Sequence, residues 1–311
     1  DIAISNWFQN TYYEEYQLRY GENPQQKATA IISNNKFKQL SGEKKLSYNN
    51  LLDLDAAITI AYDTSSNKYI CTIIKHNIPC GASIEDTQIK SYKNALASDP
   101  VSAFGGIVAF NKKINIKTAK KLVENFYEVV AAPDFDKDAL NILNNKKNLR
   151  VLKVKKFKKK KEQRSIFAGE LIQDVNNKKS TIKAIFGFNK LKKDKIDFFT
   201  NVLKFVKSNA IVLFDRTSLM SQSGGQTSRV DSLKNCLYKF KTKQKDKKMR
   251  QLFLFSDAFF PFTDSLELIK NENLKIDVYA PMGSKNDSQI EKFVKDNKLN
   301  FFKMSDRHFK H

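Results

Sequence analysis

The sequence predicts an α/β fold in two lobes, each with a largely parallel sheet. Short apolar, partly β-branched runs alternate along the whole chain with stretches whose apolar residues recur at helical spacing. Of the 311 residues, 41% are hydrophobic, which suits one large domain or two of ordinary size and excludes gross disorder.

Leu51, Leu54, Ile58 and Ala61 fall on one helical face, and residues 69–74 form an apolar run suited to a buried strand. Pro79-Cys80-Gly81 then reads as a turn. Residues 118–126 look helical, 128–131 strand-like and 136–143 helical, while 149–154 alternate as a strand does. In the second half, 196–206, 228–240 and 265–271 carry helical patterns, and 210–214, 252–255 and 276–280 read as strands. After a loop at 281–287, Ser288 and Glu291 have the spacing of a capping box that opens a helix, and 299–304 is a last strand. No short-period repeat is visible. A lysine-rich stretch at 153–161 and a polar one at 176–180 flank the lobe boundary, placed near 175 to give lobes 1–175 and 176–311.

Fifty-five Lys and Arg against thirty-three Asp and Glu leave a net charge of +22, which raises the question of a nucleic-acid partner. The basic clusters at 153–161 and 241–250 support that alternative, but Phe157 is the one aromatic residue within them, short of the interleaving a base-stacking surface requires. No apolar run nears the roughly 18–20 residues that cross a bilayer, and no secretory pattern opens the chain. Cys71, Cys80 and Cys236 are too few for a disulfide framework, which points to the cytoplasm. The chain starts at Asp1 and reads as a piece of a longer polypeptide.

Lys75-His76 follows the 69–74 strand, at a carboxyl end where open α/β sheets place ligands. An imidazole can accept a proton near neutral pH, and the ammonium beside it can stabilise developing negative charge. Pro79-Cys80-Gly81-Ala82-Ser83 invites a zinc reading, but the second cysteine of such motifs is Ser83 here, so no metal site is expected and Cys80 is read as a buried residue at a tight turn. Ser223-Gly224-Gly225-Gln226-Thr227-Ser228-Arg229 leads into a helix whose N-terminus could favour an anion. Asp99 to Gly106 sets glycines beside Phe104, which could wall a pocket for a flat ring. Residues 256–262 place three phenylalanines and a proline at a strand end, as core or as the lining of an aromatic pocket. The terminal Arg307-His308-Phe309-Lys310-His311 reads as a solvated basic tail.

Taken in order, these blocks, with Leu18-Arg19-Tyr20-Gly21-Glu22-Asn23-Pro24 before them and Ser208-Asn209-Ala210 among them, resemble the transformylase portion of the AICAR transformylase/IMP cyclohydrolase family over nearly the whole chain. The resemblance implies two cytidine-deaminase-like, three-layer α/β/α lobes without the deaminase zinc. It also implies a homodimer with sites at the subunit interface and, in some members, a structural potassium ion. Residues 1–8 look like the segment that joins the family's cyclohydrolase domain, so cyclohydrolase activity is not expected from this chain alone.

The implied reaction moves the formyl group of 10-formyltetrahydrofolate to the 5-amino group of AICAR, in purine biosynthesis. By the family pattern His76 would be the base, Lys75 would position AICAR and assist proton delivery, and Asn209 would orient the formyl group or AICAR. Arg19, Tyr20, Glu128, Arg229, Phe259 and Arg307 would hold AICAR, and Val101, Phe104, Gly105, Val230, Pro261, Phe262 and Asp264 would surround the folate. The chain departs from the pattern at Ile78, where the family has Asn, at Thr263, where it has Arg, and at Ala280-Pro281-Met282-Gly283-Ser284. An inactive remnant of the family is the remaining alternative, against which the retained Lys75-His76, Asn209 and Arg229 speak.

Overall fold

The structure, a computed structural model, describes residues 13–33, 36–63, 66–157, 161–243 and 250–311. The expected joining segment at 1–8 and parts of both lysine clusters, 158–160 and 244–249, lie outside the described residues.

A short antiparallel pair, β1 (Tyr13–Gln17) and β2 (Thr29–Ser33), leads into the first sheet. That sheet is built from β3 (Phe37–Ser41), α1 (Tyr48–Tyr62), β4 (Tyr69–Lys75), β5 (Ile78–Glu85), α2 (Gln88–Ser98), α3 (Pro100–Ala103), β6 (Ile107–Phe110), α4 (Ile116–Leu122), β7 (Val129–Ala132), α5 (Lys137–Asn144) and β8 (Arg150–Val154). An antiparallel hairpin, β9 (Lys161–Ile166) and β10 (Gly169–Asp174), follows. The second sheet uses β11 (Ile182–Phe186), α6 (Lys193–Leu203), β12 (Ile211–Phe214), β13 (Leu219–Ser223), α7 (Arg229–Lys243), β14 (Gln251–Ser256), α8 (Asp264–Asn271), β15 (Lys275–Pro281), α9 (Asp287–Asp296) and β16 (Phe301–Met304).

The two six-stranded sheets have the same order, β3-β8-β7-β6-β4-β5 and β11-β16-β15-β14-β12-β13, with helices at the same points in the connections. The chain is a duplication at the level of topology that the sequence does not display. Each sheet is mixed. Only its central trio is parallel, and the flanking strands run antiparallel on both sides. The expectation of largely parallel sheets fails because strands covered on both faces read as continuous apolar runs whichever way they point.

Alternation along the strands divides the core into three. Ile70, Ala109, Val129 and Leu152 of the first sheet and Val212, Phe214, Phe255 and Phe302 of the second share one cluster with α1 and α6. The opposite face of the first sheet packs on α2, α4 and α5, and that of the second on α7, α8 and α9. The layers therefore run helices, sheet, α1 and α6, sheet, helices. An aromatic row stiffens the second sheet's inner face, with Phe199 stacked on Phe214 at 4.0 Å and Tyr279 between Phe255 at 4.5 Å and Phe302 at 4.8 Å.

Pro79-Cys80-Gly81 lies inside β5 rather than in a turn. The turn is His76-Asn77, both left-handed at φ 52° and 59°, the conformation of a two-residue hairpin. Gly81 is required by packing, since a Cβ there would meet the Ala95 carbonyl of α2 at 2.2 Å. Ser288 does not cap α9, which starts one residue earlier after Asn286; Asp287 instead accepts the amides of Gly283 and Ser284. The β9–β10 hairpin is exposed along both strands and carries a fully exposed Phe167 at its tip.

Candidate functional site

The expected residues collect in two groups. The first surrounds the β4–β5 turn. Lys75 ends β4, and its Nζ donates to the Phe104 carbonyl at 3.0 Å. Gly105, at φ 68°, lets the loop pass over that ammonium, which a Cβ would approach to 3.0 Å. Phe104 and Val101 are exposed beside it, with Phe104 leaning on Phe126 at 5.1 Å. His76 is exposed at the turn, as is Ile78 next to it.

Glu128, just before β7, accepts from Asn50 Nδ2 at 2.7 Å and from buried Arg150 at 2.9 Å, both on Oε2. Burial alone would raise its carboxyl, but these hydrogen bonds and the charges of Arg150 and Arg19 hold it below the usual range. Arg19 and Glu128 line one cleft of about 90 Å³ with Lys44, Phe126, Asn148 and Arg150. The Arg19 guanidinium lies over the Tyr20 ring at 4.6 Å and donates to its hydroxyl at 2.6 Å. A larger polar cleft at Tyr16 and residues 39–45 holds none of the candidate residues.

Sequence reasoning missed three members of this group. Asp53 of α1 accepts the backbone amides of His76, at 3.2 Å, and of Asn77. Burial pushes its carboxyl up against those bonds and against the charges of His76 and Lys75. Asn50 and Arg150 fix Glu128 and are themselves bonded at 3.1 Å. A carboxylate and an amide in a helical pattern look like surface positions, and their partners lie 23 to 100 residues away.

The second group lies around the start of α7. Asn209 donates to the carbonyls of Gln226 at 3.0 Å and Thr227 at 3.2 Å, and its own backbone carbonyl accepts from Ser232. The Gly224-Gly225 loop thus cradles Asn209. Gly224 packs so closely on the Lys207 carbonyl that a Cβ would come within 2.2 Å, so it serves packing, while Gly225 supplies the positive φ, 70°, of the turn. Arg229 is buried and turned inward, donating to Asn209 Oδ1 at 2.9 Å, to Ser256 Oγ at 2.9 Å and to the buried Asp257. Val230, the next residue of α7, is half-buried.

Residues 256–262 divide. Phe260 is core, Phe259 lies under the Arg307 guanidinium at 4.7 Å, and Phe262 is exposed next to Pro261. Asp264 is exposed in the first turn of α8. The expected solvated tail holds for the exposed Arg307, Phe309 and His311 and fails at His308. His308 is fully buried, its amide donates to the Asp257 carbonyl at 2.8 Å, and its ring meets Ser180 at 2.8 Å and Asn176 at 3.2 Å.

The groups occupy opposite edges of matching sheets. Gly105, Glu128 and Arg150 stand at the amino ends of the parallel strands β6, β7 and β8, because β4 runs antiparallel to them. The rule that places ligands at the carboxyl ends of parallel strands therefore does not apply to Lys75-His76. Asp257, Gly283 and Arg307 stand at the carboxyl ends of β14, β15 and β16. Among the described residues no hydrogen bond, ion pair or ring contact joins the groups. Helix α7 begins at Arg229 in the second and ends at Lys243, paired with Asp99 just before α3 and Phe104 of the first; its 15 residues span about 21 Å.

Four of the described lysines of the basic clusters are engaged in ion pairs, Lys153 with Asp134, Lys161 with Asp174, Lys241 with Glu272 and Lys243 with Asp99. Among the described residues no helix is long and apolar enough to cross a membrane.

The fold defines an α/β chain of two mixed sheets of equal topology, each carrying one polar group of the expected residues. The sequence model of the AICARFT/IMPCHase bienzyme matches residues 1–239, and the chain belongs to that family. It is 40% identical over 308 residues to a Persephonella marina protein named bifunctional purine biosynthesis protein PurH, covering 94% of this chain and 59% of that protein. Proteins of the same name from Fusobacterium nucleatum and Clostridium botulinum are each 38% identical across the whole chain, with 64% of their length covered. The chain thus spans about three-fifths of these relatives.

Proposed function

We propose that the chain transfers the formyl group of 10-formyltetrahydrofolate to the 5-amino group of AICAR, giving FAICAR and tetrahydrofolate, as a cytoplasmic enzyme of purine biosynthesis. The observation that carries this reading is the seating of Lys75 and His76. Lys75 ends β4 and His76 opens the turn that follows, with the Lys75 ammonium held 3.0 Å from the Phe104 carbonyl, against the loop expected to hold folate. Family membership and three free, buried cysteines agree with it.

In this reading the amino nitrogen attacks the formyl carbon while His76 takes its proton. The formyl oxygen becomes an oxyanion, stabilised by the Lys75 ammonium and oriented by Asn209. The bond from carbon to the folate nitrogen then breaks, and that nitrogen takes the electron pair and a proton delivered with the help of Lys75. Arg19, Tyr20 and Arg307 hold the ribotide, arginine being suited to bidentate phosphate contact. Phe259 packs on the AICAR ring, and Glu128 offers its free Oε1. Arg229 acts by holding Asn209. Val101, Phe104, Gly105, Val230, Pro261, Phe262 and Asp264 line the folate side.

The lobes are of the cytidine-deaminase-like type, divided near residue 175, and the active form is a homodimer in which the first group of one copy meets the second group of the other. The separation of the groups within one chain and the exposed β9–β10 hairpin support this. The potassium ion has no assigned residues and no step runs through it. Among the described residues no three His, Cys, Asp or Glu side chains gather to hold a metal, and Asp257 is already taken by Arg229 and Ser208.

The test is FAICAR formation by the purified dimer given both substrates, together with the His76→Ala chain at matched folding. Loss of formyl transfer with AICAR binding retained is expected; equal conversion by both chains overturns the mechanism.

A further inference from the structure

We propose that helix α1 is the template of the first group and that Asp53 is a positioning residue for His76. The inference rests on the proposed role of His76 as base, and it assigns the residue that sets that base in place.

A base must meet the amine within hydrogen-bond reach, so its backbone cannot wander. His76 is poorly suited to stay where it is. It and Asn77 both hold positive φ without being glycine, a conformation that costs energy and persists only where the surroundings impose it. Asp53 imposes it. Its two carboxylate oxygens take one amide each, Oδ2 that of His76 and Oδ1 that of Asn77. Charge-assisted bonds to backbone amides are among the stronger hydrogen bonds available.

The carboxylate comes from a rigid source. Helix α1 opens with a reciprocal cap, Asn50 N–H to Ser47 Oγ at 3.2 Å and Ser47 N–H to Asn50 Oδ1 at 3.1 Å, and it is buried between the sheets through Leu54, Ala57, Ile58 and Ala61. Three residues before Asp53 and on the same face, Asn50 donates to Glu128 at 2.7 Å. One helix face thus grips the turn carrying His76 with one side chain and the expected AICAR contact Glu128 with another. A shift of α1 moves both together, and loss of Asp53 frees His76 alone.

Asp53→Asn is the perturbation. It keeps the shape of the side chain but turns one acceptor into an NH₂ donor facing an amide N–H. The test uses the full-length protein labelled with ¹⁵N-histidine, whose three histidines give three backbone amide signals. The signal of His76, assigned by its loss in His76→Ala, is expected to move in Asp53→Asn while those of His308 and His311 stay. In the same preparation kcat for formyl transfer is expected to fall roughly 100-fold, the cost of a misplacement near 1 Å, with KM for AICAR within about twofold.

An unmoved His76 signal, or kcat within about twofold of wild type, overturns the proposal. If Asp53→Asn does not fold, the pair Asp53→Asn with Asn77→Gly supplies the folded chain for the same readings, because glycine takes positive φ without strain. If the wild-type protein itself transfers no formyl group, the proposed activity fails, and the histidine signals still decide whether Asp53 holds the turn.

Discussion

Arg229→Met should destabilise the chain through one identifiable loss. The guanidinium donates to Ser256 Oγ, Asp257 and Asn209 Oδ1, and both members of its ion pair are buried, Arg229 at 7% and Asp257 at 0% side-chain exposure. Methionine fills much of the same volume, so the packing cost is small. What remains is a buried carboxylate holding only the Ser208 hydroxyl, at 2.6 Å. Removing one partner of a buried pair costs about 3–5 kcal/mol, because the survivor's charge is no longer compensated. At about 2–4 °C per kcal/mol for a domain of this order of size, the midpoint should fall by about 10 °C. Differential scanning calorimetry measures it. The double variant Arg229→Met with Asp257→Leu removes the stranded charge as well and should recover more than half of the loss, a coupling that a double-mutant cycle isolates. Single-variant melting within about 2 °C of wild type, or a double variant no better than the single one, would refute the reasoning.

The buried His308 gives a pH dependence. Burial, with Lys204 nearby, pushes its pKa down from 6.5 to about 4, so the folded chain holds the ring neutral. That contribution is complete above pH 6.5 and is lost as pH falls toward 4, to a total of roughly 3 kcal/mol; urea unfolding of His308→Gln should show a correspondingly flatter slope in that window, and identical slopes would count against it. Phe167→Ser with Leu171→Ser, on the exposed hairpin, should shift sedimentation toward monomer and lower formyl transfer in proportion while the monomer stays folded. An unaltered dimer would remove the hairpin from the interface. Neutralising Lys155, Lys156 and Lys161, which touch neither group, should change formyl transfer less than about tenfold at moderate salt. A larger loss in steady-state assays would restore a function to the basic cluster.

Legibility followed burial. Strands β4, β12, β14 and β15 could be read because both of their faces are covered, leaving apolar runs. Strand β5 could not, because it is an edge strand that tolerates Pro79 and needs Gly81 for the approach of α2, a tertiary cause absent from the local pattern. Hairpin β9–β10 has no buried face, so it has no alternation to read. Conserving a topology constrains which faces are covered and leaves individual residues free, which is why two sheets of one order left no repeat in the sequence. The residue types of the candidate groups were read from ordered blocks such as Lys75-His76 and Arg307-His308-Phe309. Their division between two sheet edges was not, since it depends on β4 running against β6. Asp53, Asn50 and Arg150 were invisible because their meaning lies in partners far along the chain.

The placement of the groups on opposite edges has a genetic consequence. If a two-fold axis sets the first edge of each copy against the second edge of the other, every pair holds two sites, each drawing on both copies. Two inactive chains with different lesions, His76→Ala and Asn209→Ala, then form mixed pairs in which one site carries both defects and the other carries neither. Random reassortment of equal amounts should restore about a quarter of wild-type activity from two dead proteins. Chains whose sites were each built within a single copy would restore nothing.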